Sequence, residues 1–392
     1  MKTGQFIIFF SVVIAVYLAV NYYIFIRGFQ ALPAGQGYRL WYSLTFWVLA
    51  SAFIIARILE RALPCTFTEV ITWIGSFWLA AMLFFFLFVL LVDIVRLVNH
   101  FIPFLPGFVT ANPSGTKIIL FWTAIAFTGI QSLAGFINAS TPRVVRVFAP
   151  TDKPMSDGNP LTIAMASDIH LGTIIGPRKA AKLVNMLNGL NADLILLAGD
   201  VVDEDIAPVI RKDVGQSLLK LKAKYGVYAI TGNHEYIGGA EKAVKYLTEH
   251  NITFLRDTFV VIDHKFTLAG RDDRDKVRFT GQGRKPLQDV LNGVDPSLPL
   301  ILMDHQPFQL DSVAAAGVDL QLSGHTHHGQ IWPFNYITKA IYRLSWGYLK
   351  LDRTHFYVSC GYGTWGPPIR LGNRPEVVFI TLGNSSQSLD PQ

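Results

Sequence analysis

The chain has 392 residues, 51% of them hydrophobic and only 16% charged, which is too long for one ordinary domain and too apolar for an entirely water-soluble one. Its net charge of +6 is not a nucleic-acid footprint. Ten Lys and Arg stand against five Asp and Glu up to Pro160, but 24 stand against 23 from Leu161 onward, so the excess sits in the apolar half and no basic stripe marks the other.

Residues 6–26, 40–56, 70–92 and 118–138 contain no Asp, Glu, Lys or Arg. Each run approaches or exceeds the ~20 apolar residues that cross a bilayer, so residues 1–140 are expected to form a transmembrane region of four helices. Four such runs in succession read as spans rather than buried core helices. The first does not read as a cleaved signal peptide, because it is long, has one lysine before it and is followed by no small-x-small site. With the N-terminus inside, Lys2, Arg57, Arg61, Arg143, Arg146 and Lys153 would be cytoplasmic, against Arg27, Arg39, Arg96 and Lys117 outside. That bias favours a multi-pass protein of the inner or plasma membrane with a cytoplasmic catalytic domain. Two cysteines, Cys65 and Cys360, provide neither a disulfide framework nor a C-x-x-C site.

Residues 141–160 read as a short strand (143–148) followed by a linker with three prolines. Beyond them, short β-rich apolar runs alternate with segments of helical spacing at 178–190, 210–224 and 240–250, with Tyr225-Gly226 and Asn251 as stops for the last two. Sheet plus covering helices follows. Five of the runs end in a polar block: Asp168-Ile169-His170, Gly199-Asp200, Gly232-Asn233-His234-Glu235, His305, and Gly324-His325-Thr326-His327. A strand end meeting its loop is where open α/β sheets carry their sites. The polar stretch 384–392 reads as a disordered tail.

In this order the blocks resemble the signature of the calcineurin-like metallophosphoesterases, D-x-H, G-D, G-N-H-E/D, H and G-H-x-H, over roughly residues 141–382. The stretch Gly361-Tyr362-Gly363-Thr364 through Arg374-Pro375-Glu376 is similar to the membrane-attached bacterial branch, which includes UDP-2,3-diacylglucosamine pyrophosphatase-type enzymes. For residues 161–383 the resemblance implies an αββα sandwich, two stacked sheets flanked by helices. It also implies that Asp168, His170 and His327 hold one metal, that Asn233, His305 and His325 hold a second, and that Asp200 bridges both.

A phosphate ester repels an anionic nucleophile, and two divalent cations about 3.5–4 Å apart neutralise its oxygens and acidify water. Oxygen and nitrogen donors without thiolate suit Mn²⁺ first, with Fe²⁺ or Zn²⁺ as alternatives. His234, which the resemblance leaves off the metals, is the catalytic candidate: it would stabilise transition-state oxygens or protonate the leaving oxygen. Asp203 and Glu235 are either orienters behind the ligands or caps of the following helices. His328, where relatives commonly have glycine, touches substrate or faces water, with water favoured. Asp304, also at a usual glycine, implies an altered loop. The turn 271–274 and Arg370 are anion contacts near the rim or surface ion pairs. Between Trp332 and Leu351 aromatic and basic residues interleave, which suits a headgroup interface or rings packed over the sheet edge.

The expected function is hydrolysis of a phosphodiester or pyrophosphate by metal-activated water, on a lipid-linked substrate such as UDP-2,3-diacylglucosamine in lipid A biosynthesis. Another phospholipid or lipid carrier is the alternative within enzymes. A catalytically silent binding or regulatory domain is the alternative of another class, disfavoured by the complete ligand set together with His234. Spans without charges argue against a transport path. No nucleic-acid partner is expected.

Overall fold

The computed structural model describes residues 3–35, 37–63, 65–154 and 158–384, so the expected tail beyond Asn384 lies outside the described residues. The chain divides into two compact units, residues 1–137 with 366–369, and residues 138–365 with 370–392.

The N-terminal region is built on the helices Thr3–Ala31, Tyr38–Ala62, Thr66–Phe101 and Pro113–Ser140. All four are long and apolar enough to cross a membrane. They outrun the charge-free runs because their ends satisfy their own charges: Asp93 pairs with Arg27 at 2.7 Å and with Arg96 at 3.2 Å, and accepts the Tyr23 hydroxyl at 2.6 Å. Inside the bundle, the buried Asn21 accepts Trp78 Nε1–H at 3.0 Å. Gly75 lies so close to the backbone of Ala52 and Phe53 that a Cβ would overlap it, the small-residue contact by which apolar helices approach. Large side chains such as Val12, Trp41, Val48 and Ile119 point outward and are exposed, the pattern of a helix bundle meant for lipid.

Among the described residues, the second unit holds twelve strands: β1 Arg143–Pro150, β2 Leu161–Ala166, β3 Leu194–Ala198, β4 Val227–Ile230, β5 Thr253–Phe254, β6 Thr258–Ile262, β7 Phe266–Gly270, β8 Leu300–Met303, β9 Leu320–Ser323, β10 Gly347–Leu351, β11 Thr354–Val358 and β12 Glu376–Gly383. One sheet runs β1-β12-β2-β3-β4-β5 and the other β10-β11-β9-β8-β7-β6. Met165, Leu196 and Ile230 of the first pack with Leu268, Ile301 and Leu322 of the second, so the sheets stack face to face. The helix Pro177–Gly189 covers the first sheet through Leu183 and Leu187, and Leu310–Ala315 covers the second through Leu310 and Val313. This is the expected sandwich. Because β2, β3 and β4 are mutually parallel, as are β7, β8 and β9, their C-terminal ends gather on one edge of each sheet.

Two local expectations change. The strand read at 143–148, ahead of the domain, runs on to Pro150, pairs in parallel with all of β12 and completes the first sheet. Residues 210–224 are not one helix: Ala207–Arg211 and Gly215–Leu218 are separated by Asp213 in the left-handed region at φ 49°. Gly215 lies against His250 and Tyr246 too closely for a side chain, and this packing overrides the helical spacing.

Candidate metal centre

The five polar blocks begin where β2, β3, β4, β8 and β9 stop, and in three of them, those after β2, β3 and β9, the backbone turns through left-handed residues. Asp168, His170, Asp200, His325 and His327 all have positive φ, between 45° and 72°. Left-handed conformations cost non-glycine residues on the order of 1–3 kcal/mol each and persist only where the surroundings over-determine them. Here the turns aim five side chains into one buried place. The glycines of two blocks serve the same convergence: a Cβ on Gly232 would overlap the Asp200 carboxylate, and one on Gly324 would overlap Asp168 and Ser167.

Two donor clusters result. Asp168, His170 and His327 form the first, with His170 Nε2 3.0 Å from His327 Nε2 and His327 Nε2 3.5 Å from Asp168 Oδ1. Asp200, His305 and His325 form the second, with His305 Nε2 3.1 Å from Asp200 Oδ2; Asn233 Oδ1 joins it, 2.8 Å from His325 Nδ1. Asp200 Oδ2 also lies 3.9 Å from His170 Nε2, so this carboxylate stands between the clusters.

Two donor atoms here, Asp168 Oδ2 and His305 Nε2, are buried without a hydrogen bond, although His305 is close to Asp200, while His170 Nδ1, not the nitrogen nearest His327, lies 3.5 Å from Asp203 Oδ1. An unsatisfied buried polar atom is costly, and two in one place call for a partner the chain does not supply. Two nitrogens about 3 Å apart also match neighbouring ligands of one ion at roughly 2.0–2.1 Å. The residues therefore fit divalent metal ions.

The electrostatics agree. Burial alone would strip His305 of its proton, but the carboxylates of Asp200, Asp168 and Asp273 outweigh burial and hold its pKa well above the usual value. Burial raises Asp200 too, yet His305, His234 and His170 pull it well below the ordinary carboxylate range. His325 is pushed down to about 3 by burial and by His305, which leaves it a neutral donor. Carboxylates draw positive charge to His305, whereas burial, His170 and Arg370 hold His327 well below its usual value.

A third cluster joins His170 to Asp203 and His234. His234 Nδ1 is 3.1 Å from Asp203 Oδ1, and the His234 backbone N–H donates to Asp200 Oδ1 at 2.9 Å. Burial lowers the His234 pKa, but Asp200, Asp203 and Glu204 overcome it and lift the ring to about 9. Glu235 proves to be both a cap and an orienter: its buried carboxylate accepts the N–H groups of Gly232, Asp200 and Val202 at 2.7, 3.1 and 2.9 Å, tying the β3 loop to the β4 loop.

Two expectations about the rim are corrected. Arg370 is fully buried; it donates to Gly363 O and Asn373 Oδ1 at 2.7 Å, and its Nη2 is 3.2 Å from His327 Nδ1. It props a ligand loop instead of meeting anions at the surface. His328 does not face water: its ring is buried, with Nδ1 3.0 Å from Ser345 Oγ and Trp346 alongside. In the 271–274 turn, Arg271 is buried against Asp304 at 3.1 Å. Asp304 also receives a two-pronged bond from Arg284, at 2.7 and 3.1 Å, so two arginines balance its charge at a usual glycine position. Arg274 lies over the Phe308 ring, 4.2 Å from its centroid.

Sequence reasoning missed Asn373, whose Nδ2 donates to His327 O at 2.9 Å, and Gln306, which donates to both oxygens of the buried Asp273. Asn373 falls inside the stretch 361–376 that carried the family-branch resemblance, which was the available signal. Gln306 had its place beside His305 as its signal.

Residues 161–329 match the calcineurin-like phosphoesterase family. The chain is 34% identical over 275 residues to a transmembrane protein with metallophosphoesterase domain from Bos taurus, a match covering 66% of this chain and 61% of that protein. The chain thus spans less than two thirds of that relative. An uncharacterized metallophosphoesterase of Aquifex aeolicus is 32% identical over 242 residues, covering 61% of this chain and 91% of the relative. One from Campylobacter jejuni is 28% identical over 388 residues, 96% of this chain and 98% of the relative, and so matches through the apolar helices as well.

Proposed function

Because the chain belongs to the calcineurin-like metallophosphoesterase family, we propose that it is a membrane-bound phosphoesterase that cleaves a phosphodiester or pyrophosphate on a lipid-linked substrate. The observation that carries this reading is the pair of buried donor clusters with Asp200 between them. Asp168, His170 and His327 would hold one divalent ion and Asn233, His305 and His325 the other, with Mn²⁺ favoured over Fe²⁺ or Zn²⁺ for this oxygen and nitrogen set. When bound, two such ions neutralise phosphate oxygens and acidify water.

The chain's own residues do the rest. Asp203 takes one side of the His234 ring, and Nε2 has no hydrogen-bond partner among the described residues, so it is the atom available to a phosphate oxygen or to the leaving oxygen. The His234 backbone N–H and Glu235 fix Asp200 from two directions, which keeps the site in shape before substrate arrives.

A lipid-linked substrate such as UDP-2,3-diacylglucosamine, in lipid A biosynthesis, is supported by the four apolar helices and by a separation of only Thr141 and Pro142 between the helix Pro113–Ser140 and β1. The test is turnover by the purified full-length protein, with and without Mn²⁺, on a panel of phospholipids, nucleotide-linked lipids and a simple aryl phosphodiester, with Asp200→Ala as blank. Metal-dependent release above the blank is expected. If every substrate in the panel stayed at the blank, phosphoesterase activity would be refuted.

A further inference from the structure

The helix Phe334–Ile341 is built inside out. None of its eight residues is buried, and a helix of that length, short of the ~12–15 residues at which isolated helices become even marginal, needs an apolar face covered by something. Its polar Asn335 and Thr338 are half-buried, while Phe334, Ile337 and Ile341, which share one face at helical spacing, are exposed. Trp332, directly before Pro333 and the helix, and Trp365, hydrogen-bonded to Gln330, are exposed as well, and together with Tyr336 these residues are 42–61% exposed.

This surface belongs to the mouth of the metal centre. Gly329, two residues after His327, packs so tightly on the backbone of Phe334 and Asn335 that a Cβ would overlap it, so the helix is fixed to the loop that carries His325 and His327. Trp365 is joined to Gln330 by two hydrogen bonds, of 2.9 and 3.0 Å, and its ring lies 6.0 Å from that of His234. The expectation that these rings pack over the sheet edge holds further along, at Trp346, which donates to the buried Glu376, and at Tyr348, whose ring stacks on His355 of β11.

We propose that the helix Phe334–Ile341, with Trp332 and Trp365, is a bilayer-docking surface through which the metal centre takes a lipid-linked phosphoester directly from the membrane. The occupant is set by the chain itself. Four helices long enough to cross a membrane lie on the same polypeptide, and two residues separate the last from β1, so a bilayer is the partner to which this chain is covalently tied. Residues 332–342 contain three kinds of aromatic ring, one lysine and no acidic residue, the composition of a segment that lies among anionic headgroups.

The substrate half of this inference rests on the proposed phosphoesterase function, but the docking half is measurable without catalysis. The full-length chain carrying Cys65→Ser and Ile337→Cys, labelled with an environment-sensitive fluorophore, is placed in nanodiscs of phosphatidylethanolamine and phosphatidylglycerol; Cys360 is buried and stays unlabelled. Quenching by doxyl lipids is expected. Quenching by aqueous iodide alone would overturn the proposal, and so would protection from both quenchers, which would mean that protein covers the helix.

In the second arm, Ile337→Ser with Ile341→Ser should lower turnover of a vesicle-embedded phosphoester by about tenfold or more while leaving a soluble aryl phosphodiester unchanged. Equal rates on both substrates would count against substrate delivery through this surface. If the parent protein turned over neither substrate, the phosphoesterase reading would fail, while the quenching result would still decide the docking surface.

Discussion

His234 and Asp200 are neighbours by a backbone hydrogen bond of 2.9 Å, yet their substitution should have opposite consequences for metal content. Asp200 stands between the two donor clusters, so Asp200→Ala removes a donor from both and should lower bound metal and abolish turnover together. His234 contributes its ring to Asp203 and an open Nε2, and His234→Ala should keep metal while losing rate by about 10²–10⁴-fold. Metal analysis of the purified variants beside their kinetics separates the two roles. If His234→Ala lost both ions, its ring would have to be reassigned as a ligand, which the His170, Asp203 and His234 cluster makes a real alternative arrangement.

At the scale of elements, the site depends on how closely the β2 and β9 loops approach, and Gly324 sets that distance. A methyl group there would overlap Asp168 Oδ2 and Ser167, both held by the end of the first sheet. Gly324→Ala should therefore displace Asp168, one of the first cluster, and lower metal affinity by at least about tenfold, with a smaller effect on the melting temperature of the metal-free protein. Calorimetric metal titration checks this, and unchanged affinity would show that the loop yields.

Much of this geometry was legible in the sequence, because each block directly follows an apolar run short enough to be a buried strand, and parallel strands bring their ends to one edge. What was not legible depends on distant packing. Arg370 looked like a surface cation because nothing local announces that the stretch ahead of β12 folds under His327. His328 and Arg271 gave the same false impression, and Ser345 and Asp304 bury them. The break at Asp213 was hidden for a related reason: Gly215 meets His250, 35 positions on in the chain, and helical spacing carries no trace of it.

For the whole molecule, metal and topology each give a test. Ions that bind only the folded chain stabilise it by mass action, by about 2.7 kcal/mol at one hundred times the dissociation constant. Removing them with a chelator should lower the melting temperature, and Mn²⁺ should restore it; no shift would mean the buried donors satisfy one another without metal. Topology decides the substrate. Lipids carrying a nucleotide are made where nucleotide sugars are, in the cytoplasm, so a UDP-linked substrate requires the catalytic unit there. Four spans and six basic residues against four favour that side, although Arg27 and Arg39 compete for it, and Arg27 is partly neutralised by Asp93 at 2.7 Å. A reporter fused after Gln392 should be active only in the cytoplasm, and deleting the helix Thr3–Ala31 should reverse it by leaving an odd number of crossings. Activity only outside would exclude the UDP-linked lipid and turn the same metal centre toward an external phospholipid or lipid carrier, because the donor clusters lie wholly within the second unit and are indifferent to the side it occupies.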